Sequence, residues 1–103
     1  MIITVVTFGL PPSTRRADAL ALYQGSAPRW ASNPDLVEKT YFFSADRSLG
    51  GGVYHWRSLE AARRWHGEDY RRQIRERYGS EPRIDMFEAV LHVDTATKAV
   101  VEV

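Results

Sequence analysis

The chain has 103 residues, enough for one domain and too few for two. Hydrophobic residues at 44% and charged residues at 26% are those of an ordinary folded protein, which excludes a disordered chain. The absence of cysteine rules out a disulfide framework, a zinc–thiolate centre and a thiol nucleophile, and 14 basic against 13 acidic residues give no net field to attract nucleic acid.

Residues 2–10 are β-branched and aromatic and predict a strand, which Pro11-Pro12 ends because proline cannot donate to the ladder. No apolar run is long enough to cross a bilayer and nothing resembles a signal peptide, so the cytoplasm is the expected location. Ser13 is placed to cap a helix running to about Gln24, with Ala17, Leu20 and Ala21 inward and Gly25 as its stop. Residues 25–34 hold two prolines and no clear period, which predicts a loop or a broken helix with Trp30 as its large apolar anchor.

Residues 36–45 and 52–56 read as two further strands, joined by a hairpin loop over Asp46 to Gly51. The Gly50-Gly51-Gly52 run lacks the Lys-Ser/Thr of a phosphate loop and reads as a turn. Ser58 caps a predicted long helix, 59–78, on which Leu59, Ala62, His66, Tyr70, Ile74 and Tyr78 form one stripe. Gly67 marks an expected bend, and Gly79 ends the helix. The seven arginines between Arg57 and Arg77 alternate with Glu60, Glu68, Asp69 and Glu76, the pattern of a solvated helix face. A long strand over 83–93, a turn at Asp94 to Lys98 and a short strand at Ala99 to Val103 complete the chain.

The order is β-α-β-β-α-β with an extra C-terminal strand, an α+β, ferredoxin-like arrangement expected to form a single domain over 1–103. Its strands are apolar on both faces: Ile2, Val6 and Phe8 against Ile3 and Val5; Val37, Tyr41 and Phe43 against Leu36 and Phe42; Ile84, Met86 and Val90 against Phe87, Leu91 and Val93. Two helices cover one face only. A second copy of the chain is the expected cover for the other, giving a homodimer.

The strand Lys39-Thr40-Tyr41-Phe42-Phe43, the stretch Gly51-Gly52-Val53-Tyr54-His55-Trp56 and the helix start Ser58-Leu59-Glu60-Ala61-Ala62 followed by His66 together resemble the YdhR-like monooxygenases. These belong to the dimeric α/β-barrel superfamily, alongside the antibiotic-biosynthesis monooxygenases. The resemblance spans about residues 36–93. It implies a dimer whose two sheets close into a barrel, with a pocket between each sheet and its helices. Some superfamily members oxygenate aromatic polyketides without metal or flavin, while others bind haem or cyclise polyketides. The haem-degrading pattern pairs an asparagine with a histidine and a tryptophan, and the one asparagine here, Asn33, precedes Pro34 in the irregular stretch.

His66 is the first candidate for chemistry, because its stripe turns it to the sheet and it matches the family's helix histidine. An imidazole near its ordinary pKa accepts a proton at neutral pH. The competing reading is a packed, hydrogen-bonded core histidine. His55 points away from Tyr54 and Trp56, into a pocket or into an interface. The three histidines with Glu88 show no metal-site spacing, so no metal is expected. The expected function is cofactor-independent monooxygenation of a small aromatic, a phenol, quinol or polyketide-like molecule. His66 would be the base with Tyr41 and Tyr70 as hydrogen-bond partners; His55, Trp56, Trp65, Phe43 and Tyr54 would bind substrate. Neither cofactor, nucleic acid nor membrane is expected as a partner. The alternatives are a non-catalytic ligand-binding dimer and a polyketide cyclase.

Overall fold

The computed structural model describes all 103 residues. It contains β1 (Ile2–Gly9), α1 (Arg16–Ala31), β2 (Leu36–Ser44), β3 (Leu49–Trp56), α2 (Leu59–Trp65), α3 (Glu68–Tyr78), β4 (Arg83–Glu88), β5 (Leu91–Asp94) and β6 (Ala99–Glu102). The first four strands pair antiparallel in the order β2-β3-β1-β4, the ferredoxin-like sheet, and β5 pairs only with β6. The fold is therefore mixed α+β, as the element order predicts. No helix is long and apolar enough to cross a membrane.

The first helix departs from expectation at both ends. It starts after Arg15, whose backbone N–H donates to the Asp18 carboxylate at 2.9 Å, rather than after Ser13. It then runs through Gly25 and Pro28 to Ala31. Pro28 removes one helical hydrogen bond, to the Gln24 carbonyl. Packing compensates, because Ala19, Tyr23, Ser26 and Trp30 recur on one buried stripe. That stripe also corrects the inward face: Ala17, Leu20 and Ala21 are exposed.

The predicted helix 59–78 is two helices. Ser58 caps the first, its hydroxyl accepting from the Ala61 N–H at 3.1 Å. The chain then breaks at His66 and restarts after Gly67, whose backbone is extended. Gly79, at φ 83°, ends the second helix in the left-handed conformation that only glycine adopts freely. Ala61 joins the buried stripe and Leu59 stays exposed.

The glycine run is strand, not turn. The turn is Ala45 to Ser48, and Gly50, Gly51 and Gly52 lie in β3 opposite Phe43, Phe42 and Tyr41. A Cβ on Gly51 would collide with the Val6 carbonyl and the Phe42 ring, and one on Gly50 with the Tyr23 hydroxyl. Close approach of neighbours, not turn geometry, requires these glycines.

The long strand 83–93 is also divided. At Ala89 the backbone N–H donates to the Met1 carbonyl at 3.0 Å, and the chain leaves the sheet to form the β5–β6 hairpin. The core lies between the helices and one sheet face, around Val6, Phe8, Trp30, Tyr54, Trp56 and Tyr70. A bulge between Leu36 and Glu38 turns Leu36 into this core and leaves Val37 exposed. The other face carries Ile3, Val5, Phe42, Val53 and Phe87 with no helix over it, and Phe87 is 55% exposed.

Candidate functional site

Alternation along β2 and β3 sends Lys39, Tyr41, Tyr54 and Trp56 to the helix side of the sheet. The α1 stripe brings Ser26 and Trp30 over them, and α3 adds Tyr70, Gln73, Ile74 and Arg77. Between these walls lies a cavity of about 20 Å³. That is room for a water molecule. Its floor is the Tyr54–Tyr70 hydroxyl pair, 2.7 Å apart. On one side the Tyr41 hydroxyl meets Ser26 Oγ at 2.6 Å. Arg29, Gln73 and Arg77 close it toward solvent.

At its centre is a residue with no place among the expected site residues. The Lys39 amine stands 3.8 Å from the Tyr41 ring centre, 4.4 Å from Tyr54 and 4.6 Å from Trp30. Gly52 makes this possible, since a Cβ there would lie 3.1 Å from the lysine Cε. The amine makes no hydrogen bond and no ion pair within the chain. Burial, with repulsion from Arg29 and Arg77, lowers its pKa to about 7. Both protonation states are then populated at neutral pH, which suits proton transfer. The surrounding phenols Tyr41, Tyr54 and Tyr70 are pushed upward, chiefly by burial. They remain neutral hydrogen-bonding groups.

His66 sits behind this site. It is 4% exposed and lines neither the cavity nor the grooves beside it. The Trp56 indole N–H donates to Thr4 Oγ1 at 2.9 Å, and Thr4 Oγ1 is 2.8 Å from His66 Nε2. The threonine hydroxyl accepts from the indole, and either it or the imidazole Nε2–H donates across the remaining contact, according to the tautomer. Nδ1 has no partner. Burial, then the charges of Lys39 and Arg71, lower the His66 pKa to about 3, so the ring is neutral. Tyr54, Trp56 and Tyr70 all meet it edge-on.

Tyr41, Tyr54 and Tyr70 gather at the cavity, where Tyr41 and Tyr70 hydrogen-bond to Ser26 and Tyr54 and not to His66, and the other candidates do not line it. Trp56 is fully buried beside Thr4. Trp65 lies on the surface with its indole N–H donating to Asp35 at 3.0 Å. Phe43 lines a separate groove with Tyr23 and Phe42. His55 is on the uncovered sheet face, 3.6 Å from Glu38 and edge-on to His92. No three His, Asp or Glu side chains converge as a metal site. The signal for Lys39 was present in sequence: it shares the parity of Tyr41 and Phe43 on its strand, and in the sheet it stands opposite Tyr54.

No protein-family profile matches the chain, and no curated protein sequence does. Solved structures do match in fold. A Deinococcus radiodurans protein assigned as an antibiotic biosynthesis monooxygenase aligns over 91% of this chain and 97% of its own, with TM-score 0.68 and 13% identity. SnoaB, a cofactor-independent oxygenase from Streptomyces nogalater, aligns over 85% of this chain and 91% of its own, with TM-score 0.62 and 16% identity. Rv0793 from Mycobacterium tuberculosis aligns over 90% and 98%, with TM-score 0.65 and 14% identity. At these identities the likeness is one of fold.

Proposed function

We propose that the protein is a cofactor-independent monooxygenase of a small phenol or quinol, within the YdhR-like branch of this fold, and that it works as a homodimer in the cytoplasm. The fold it shares with SnoaB supports the reaction class. The observation that carries the reading is the half-buried, unpaired Lys39 amine enclosed by Trp30, Tyr41 and Tyr54. Lys39 accepts the phenolic proton, and the resulting anion is electron-rich enough to react with dioxygen directly. The ring carbon bonds to one oxygen atom, the other leaves as water, and the phenol becomes a quinone, so the substrate supplies all the electrons. Tyr41, Tyr54 and Tyr70 orient the substrate oxygen, and the aromatic walls exclude water.

His66 is a positioning residue in this scheme, because it holds Tyr54 and Tyr70 from behind and has no path to substrate in this conformation. The test is oxygen uptake with a panel of phenols and quinols, with product mass 14 Da above substrate for the phenol-to-quinone conversion, roughly one oxygen gained and two hydrogens lost. Ligand binding without oxygen uptake would leave a binding protein, and a product isomeric with its substrate or short by one water would indicate a cyclase.

A further inference from the structure

The cavity mouth has a feature the oxygenation chemistry does not require. Arg29 from α1 and Arg77 from α3 both line it, beside Lys39, and no carboxylate does. Neither arginine has an ion-pair partner, unlike Arg72 and Arg75, which share α3 with Arg77. Arg77 spends one donor on the Leu22 carbonyl at 3.2 Å, and Arg29 lies 5.6 Å from the Trp30 ring centre. Glu38 is directed toward His55 at 3.6 Å, and Glu76, which shares an adjoining surface groove with Arg29 and Arg77, lies 4.0 Å from Arg72. The remaining groups around Lys39 are Tyr41, Tyr54, Tyr70, Gln73 and, behind the wall, the neutral His66. An amphipathic gradient results, with aromatic floor, amine in the middle and two permanent cations at the entrance.

We propose that this cleft is built for a hydroxyaromatic acid: the ring lies in the aromatic box, its hydroxyl meets Lys39, and its acid group is held at the mouth by Arg29 and Arg77. The inference rests on the reading of the cleft as an aromatic-substrate site and adds the anionic group. Guanidinium forks suit a carboxylate because two parallel N–H donors match its two oxygens. An anion also relieves the repulsion between the two guanidiniums and the protonated fraction of Lys39. The present cavity admits only a water, so a ring enters only when Lys39 and the aromatic walls rearrange together with the two arginines at the mouth.

The test compares 4-hydroxybenzoate with its neutral isostere 4-hydroxybenzamide, using quenching of the summed fluorescence of Trp30, Trp56 and Trp65 and calorimetry at low salt. The acid should bind at least about tenfold more tightly, the equivalent of one charge-assisted contact. The preference should shrink with added salt and vanish in the Arg29→Gln/Arg77→Gln double variant, while binding of the amide is unchanged. Arg83→Gln, which removes a cation remote from the cleft, should leave the preference intact. Equal binding of acid and amide, binding of neither up to about 1 mM, or a preference that survives the double variant would each overturn the proposal. Preference for the acid without oxygen uptake would defeat the oxygenase reading and leave this one standing; oxygen uptake with no preference would do the reverse.

Discussion

Lys39 and His66 show how one aromatic cluster sets two basic groups to different tasks. Lys39 stands near 7 instead of 10.5 in the folded chain, chiefly through burial. Between those values the unfolded chain binds the extra proton, so folding stability rises with pH across that interval. Lys39→Met should therefore gain roughly 1–2 kcal/mol at pH 7 in denaturant melts while abolishing turnover. In the intact protein turnover should fall about tenfold per pH unit below 7, because the amine must be neutral to accept a proton. His66 behaves differently. Its pKa drops from 6.5 to about 3, mainly by burial. Stability from the neutral ring is present above 6.5 and lost as the pH falls toward 3, by up to about 1.4 kcal/mol per pH unit. His66→Ala should cost ~1–3 kcal/mol at pH 7, flatten that acid dependence and leave turnover of the folded fraction within a few-fold of the parent. Loss of turnover with the melting curve unchanged would instead make His66 the base.

Among the elements, the sheet's element order and the aromatic parity of β2 were legible in the sequence because strand periodicity is a local property. Strand alternation puts Tyr41 and Tyr54 on the helix side of the sheet, and the helical stripe puts Tyr70 over them. The misreadings share one cause. Gly25, Pro28 and Gly50 to Gly52 are local punctuation that long-range packing overrides: Trp30 and Tyr23 hold α1 straight through its breakers, and β3 needs bare backbone where β1 and α1 press on it. Lys39 was missed because a lysine on a strand ordinarily reads as solvated, and only the folded chain shows three rings around it. Gly51→Ala should lose about 3 kcal/mol or more, since its Cβ meets the Val6 backbone, which cannot yield. Gly25→Ala should gain about 0.5–1 kcal/mol, because its only neighbour is the flexible end of Arg77, 3.4 Å away. Chemical denaturation of the two variants checks both signs, and equal effects would mean the glycine run is not held by close approach.

At the scale of the molecule, the apolar sheet face and the β5–β6 hairpin leave much hydrophobic surface without a cover. Phe87, Val90, Leu91, Val93 and Val100 are each more than half exposed. A patch of that kind marks an association surface. Sedimentation at micromolar concentration should give about twice the 11.8 kDa chain mass, and a clean monomer would end the dimer reading. The hairpin adds a consequence of its own. It continues from the sheet at Ala89, meets it again through the edge-on rings of His55 and His92, and is paired only within itself. Two strands alone are barely stable in water. On dilution below the dissociation constant the arm should fray, and a protease with a taste for small aliphatic residues should nick it first at its exposed turn, near Ala96. The rate of that cut, followed against protein concentration, becomes a clock for how often two protomers part.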